Sequence, residues 1–151
     1  MPIDSTQVLR LIEHTHGHLG WLAAAALLHP AILLRNRKRR AHLSVVLATG
    51  FVTVVGSLGV LLYGPYRDIL KQRIFIDAPR VGLLFERKEH LAFGAIVLAW
   101  SGAIAYAVAN RAGESLREPL RSFAHRAFIA ATALAVGTAA LGTVVAAYRT
   151  F

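Results

Sequence analysis

The stretch AHLSVVLATGFVTVVGSLGVLLYG, residues 41–64, contains no Asp, Glu, Lys or Arg. Coiled as a helix it rises about 1.5 Å per residue, enough to cross a hydrocarbon core about 30 Å thick. A helix on the surface of a soluble protein would show a charge every turn or so on its outer face. This one shows none, so the solvent it implies is lipid. Three further blocks have the same character: residues 14–34, 91–110 and 127–148. The reading is all-α: an integral membrane four-helix up-down bundle, one transmembrane domain over residues 1–151.

The composition agrees. The chain is 56% hydrophobic and 17% charged, and its mean hydropathy is +0.51. A soluble globule of this size needs more polar surface to keep its apolar side chains from water. The 17 Lys and Arg exceed the 8 Asp and Glu, for a formal charge of +9. Those charges fall between the apolar blocks, not along one amphipathic face. They read as basic loops beside anionic headgroups, with the lipid bilayer as partner and no nucleic acid. The segment before the first block carries Asp4, Arg10 and Glu13, a poor match to the basic start of a cleavable leader.

Orientation follows from the cations. Arg35-Asn36-Arg37-Lys38-Arg39-Arg40 joins the first two blocks, and so dense a cluster marks the cytoplasmic side. Arg111, Arg117 and Arg121 fall in the third connection, where Pro119 is expected to stop any continuing helix. Four spans put both connections on one side. Both termini then lie on the non-cytoplasmic side of a bacterial-type inner membrane. The outer side also carries cations, among them Arg67, Lys71, Arg73, Arg80, Arg87 and Lys88. The outer connection, residues 65–89, spaces Ile69, Leu70, Ile74 and Phe75 as a short helix lying on the membrane surface would.

Several chemistries have no foothold. There is no cysteine, which removes disulfides, thiolate metal sites and covalent haem attachment. No Gly-rich phosphate loop or nucleophile elbow occurs, and no block contains a carboxylate. Gly50, Gly56, Gly59, Gly94 and Gly102 fit close helix packing in a membrane, or room for a flat cofactor.

What remains is histidine, seven in all. His14, His16 and His18 lie at the outer end of the first block, and His29 lies deep within it. His42 opens the second block, His90 precedes the third and His125 the fourth. In an up-down square His18 and His90 share the outer level on diagonal helices, and His42 and His125 share the inner level on the other two. His14 and His18 are one turn apart on one face. His18 and His29 are separated by about 16 Å of rise and also lie nearly on one face. The inner partner of His125 is therefore either His42 or His29. His42 and His125 each stand beside an arginine, Arg40 and Arg126, and also read as headgroup-level polar residues.

This layout of one cross-bundle pair per face resembles the bis-histidine membrane cytochromes b. The resemblance implies one or two non-covalent haems b, each iron taking two axial imidazoles. It implies an electron-transfer subunit of an oxidoreductase complex, with quinone as the exchange partner at a membrane face. His18, His90, His125, His42, His29 and His14 are then the cofactor-binding candidates, the first five as metal ligands. Two other functions fit the same residues. One is a non-catalytic structural subunit packed against other subunits of a larger membrane complex. The other is an outer-face metal site built from His14, His18 and His90 with Glu86 or Glu89.

Overall fold

The computed structural model describes residues 5–36 and 40–148. These residues form helices and tight turns with no strand among them. Helix α1 is Ser5–Arg35, α2 is His42–Pro65, α3 is Gln72–Asp77, α4 is Pro79–Ala109 and α5 is Glu114–Tyr148. A π-helical segment, Tyr66–Lys71, joins α2 to α3 without a break. Four helical rods result, each long and apolar enough to cross a membrane.

The rods exceed the four apolar blocks, and the main difference lies at residues 65–89. In place of a surface-lying helix, α2 continues through the π-helical segment and α3 to Asp77. The chain turns at Ala78 (φ −149°, ψ 71°), and Pro79 opens α4. Local chemistry explains each step. Pro65 has no N–H, and its ring crowds the carbonyl four residues back, so the regular ladder cannot continue unchanged. The wider π turn follows directly, a common way for a helix to absorb such an irregularity. Ala78 precedes a proline and is driven out of the α region. Pro79 is pre-set for the first position of a helix. Leu70 and Ile74 are buried in a small apolar cluster with Leu62, Tyr66, Val81 and Val145, whereas Ile69 is exposed. The apolar spacing is thus satisfied by protein packing.

Pro119 also differs from expectation. It lies in the second turn of α5, not at a helix end. The third connection is confined to residues 110–113, and Arg117 and Arg121 belong to α5. The Arg117 guanidinium donates to the Ala112 carbonyl at 3.3 Å, and that of Arg121 to Asn110 Oδ1 at 2.9 Å.

Helix α1 packs on α2 and α5, and α4 packs on α5 and α2. In every neighbouring pair, residue numbers rise on one helix as they fall on the other. His16 lies against Gly59 and His29 against Ser44 on α1 and α2. On α2 and α4, Gly56 lies under Ile96 and Thr53 under Trp100. On α4 and α5, Gly94 meets Leu134 and Gly102 meets Phe128. Trp21 pairs with Thr143 and Ala31 with His125 on α1 and α5. The two short connections meet at one end, where the Ala41 N–H donates to the buried Tyr106 hydroxyl at 2.8 Å. The other end carries the Ala78 turn.

The interior is built from small residues. Ala24, Leu27, Ala95, Ala99, Phe128 and Ala131 belong to one core cluster, none more than 3% exposed. Alanine lets helix backbones approach closely, and close approach maximises dispersion contacts. The hydroxyls of Thr53, Thr132, Thr138 and Thr143 are each satisfied by the carbonyl four residues back. Leucines 43, 47 and 61, Val60, Phe93 and Ile104 face outward.

Candidate functional site

At the end bearing the two short connections stand His29, His42 and His125. His29 does not enter the core. It lies on an exposed face of α1, and its Nδ1 is hydrogen-bonded to Ser44 Oγ of α2 at 2.9 Å. A polar ring within an apolar helix needs such a partner, and the short α1–α2 connection brings Ser44 to the right height. His42 is exposed at the start of α2. Both imidazoles line an open groove of about 690 Å³ between α1 and α2. His125 is half-buried on α5 and donates from Nδ1 to the Ala31 carbonyl of α1 at 2.9 Å. His29 and His42 are therefore brought to one groove, whereas His125 is engaged at the α1–α5 seam.

At the Ala78 end, His14, His18 and His90 are exposed. The His90 ring is held to its own helix, donating from Nδ1 to the Glu86 carbonyl at 2.7 Å. Glu86 uses its carboxylate for Lys71, 3.2 Å away. His16 is the half-buried member of its group, seated over Gly59 where a methyl group would lie 3.2 Å from Cε1. Its Nδ1 is buried and takes no hydrogen bond among the described residues.

A polar cluster that the histidine pattern did not reveal surrounds this point. Tyr66 of the π-helical segment stacks on Phe85 of α4, with centroids 3.7 Å apart and planes at 10°. The Lys88 ammonium sits 4.2 Å from the Phe85 centroid, within the electrostatic reach of Glu89 and Glu13. The Tyr66 hydroxyl is buried and unpartnered among the described residues. Such groups mark places where water or a ligand completes the bonding. The sequence signal was present: Tyr66 and Lys88 flank the Ala78 turn. It became readable only once residues 65–89 folded back as a helical pair.

The fit of a haem between diagonal helices can be tested on this geometry. A porphyrin needs a slot between the helices and two imidazoles aimed into it. The bundle core is one packed cluster that includes alanines, Leu27 and Phe128, while His18 and His90 stand on exposed faces outside it. His42 is exposed as well. The residues present do not fit a haem in the bundle interior. Nor is the outer-face metal set assembled: no three His, Asp or Glu side chains come together as a metal site among the described residues.

No family model matches the chain, and no curated protein or solved structure matches it either.

Proposed function

We propose that the chain is an integral membrane protein crossing an inner membrane four times, up and down, with both termini on the non-cytoplasmic side. Its role is that of a non-catalytic structural subunit, packed against other subunits of a larger membrane complex. The observation that carries this reading is the division of polar groups between inside and outside. The interior is an alanine-lined contact surface, while His14, His18, His29, His42 and His90 are displayed on exposed faces. An imidazole facing acyl chains is costly. A neighbouring polypeptide or interfacial water removes that cost, and polar side chains are an established glue between membrane helices.

Electron transfer through haem b, with quinone exchange, is the second reading. It is favoured by the way His90 and His125 are held. Each commits Nδ1 to a backbone carbonyl, the arrangement that fixes a neutral ring with Nε2 left for a metal. On this fold such a haem would sit against the outside of the bundle, shared with a neighbour.

A photo-reactive amino acid placed at position 18 or 90 is expected to give polypeptide adducts in native membranes. At Leu61, which is 71% exposed and apolar, it is expected to give lipid adducts alone. Lipid adducts alone at all three positions would contradict the subunit reading.

A further inference from the structure

We infer that the groove between α1 and α2 is a binding site for a single anionic phospholipid, with the phosphate at its mouth and an acyl chain along its wall. The inference rests on the proposed membrane placement but not on the proposed role as a subunit. The open groove has a volume of about 690 Å³, with Arg40, His42, His29 and Ser44 among its polar lining and Leu47 and Phe51 along its apolar wall.

These groups are ordered by depth. Arg40 and His42 stand where α2 begins, and Phe51 lies about 14 Å further along the helix at 1.5 Å per residue. The polar groups therefore gather toward the connection between α1 and α2, and the apolar wall descends from them. A phospholipid has the same order: a charged phosphate, then ester carbonyls, then hydrocarbon. Among the described residues the lining supplies donors and a cation and no carboxylate, so it complements an anion. Arginine offers a planar fork of donors suited to phosphate oxygens. The Ser44–His29 pair lies just below the mouth, at ester depth, where, with its mutual hydrogen bond kept, it has one donor left for an ester carbonyl: the ring Nε2–H or the hydroxyl, according to the tautomer. In the proposed orientation this end faces the leaflet richest in anionic lipid, and basic pockets between helices on that side are a recurrent form of headgroup recognition.

The full chain in mild detergent, presented with phosphatidylglycerol or phosphatidylcholine of matched acyl chains, is the appropriate sample. Native mass spectrometry is expected to show one retained phosphatidylglycerol and little phosphatidylcholine. Arg40→Gln is expected to lower phosphatidylglycerol retention about fivefold, the loss of one lysine- or arginine-sized attraction. Leu47→Trp narrows the groove while leaving every cation of the connection in place, and is expected to abolish retention. That variant separates the groove from general attraction to the basic turn, since the exposed position of Leu47 lets the bundle fold with either side chain. Equal retention of both lipids, or undiminished retention in Leu47→Trp, would overturn the site. Displacement of the lipid by glycerol 3-phosphate alone would also overturn it, by showing that a free phosphate suffices.

Discussion

Gly102→Leu is expected to destabilise the bundle by about 1–3 kcal/mol, the usual range for forcing volume into a packed core. A methyl group at Gly102 alone would stand 3.1 Å from two atoms of the Phe128 ring and 3.2 Å from the Ala127 methyl. A leucine adds three more carbons to a place already tight. Phe128 is fully buried and cannot swing aside without moving α5. The complementary change, Phe128→Ala, is expected to cost about 2 kcal/mol, mainly as a cavity term. In lipid the transfer term largely drops out, because the separated helices still face hydrocarbon. The two changes share one volume, so the double variant is expected to recover part of the loss. Reversible unfolding in mixed detergent micelles measures all three. Strict additivity would show that Gly102 and Phe128 do not meet.

An all-or-none result is expected from Asn36→Cys. The chain has no cysteine of its own, so a thiol at position 36 reports alone. In the proposed orientation a membrane-impermeant maleimide reaches it only after the cytoplasmic face is opened. Neutralising Arg35, Arg37, Lys38, Arg39 and Arg40 together removes the main topological signal. That variant is expected to expose position 36 to reagent added outside intact cells in part of the population. Labelling of the single-cysteine protein from outside, with the cations intact, would reverse the assignment of sides.

The four long helices were legible because apolar runs of about 20 residues without a charge are long enough for a membrane-spanning helix. Their neighbours were legible as well, since short basic connections force consecutive helices side by side. The 65–89 segment was harder. Its apolar spacing is real, but periodicity states only that one face is apolar, not what covers it. Here Val145 of α5 and the aromatic pair Tyr66 and Phe85 help to cover it. The histidines were legible as to level and not as to direction. His18 and His90 do lie toward one end, and His42 and His125 toward the other. Whether a ring enters a bundle depends on helix rotation, and rotation is set by where the alanines fall. Ala95 and Ala99 on α4, one turn apart, turn the opposite face of that helix away from the core. The side-chain links Trp21 to Thr143 and Trp100 to Thr53 join residues far apart in the chain and could not be paired from one sequence.

The visible absorption spectrum of the purified full chain, oxidised and then reduced, tests the central claim most directly. A bundle with a packed alanine interior, and with five of its seven histidines on exposed faces, is expected to show no band beyond the aromatic absorption of Trp21, Trp100 and the tyrosines. A Soret band with a sharp reduced α-band, at one or two haems per chain and falling by half in His125→Ala, would contradict it. Because Ala99 and Phe128 close the centre, that result would place the haem against the outside of the bundle and favour the electron-transfer reading.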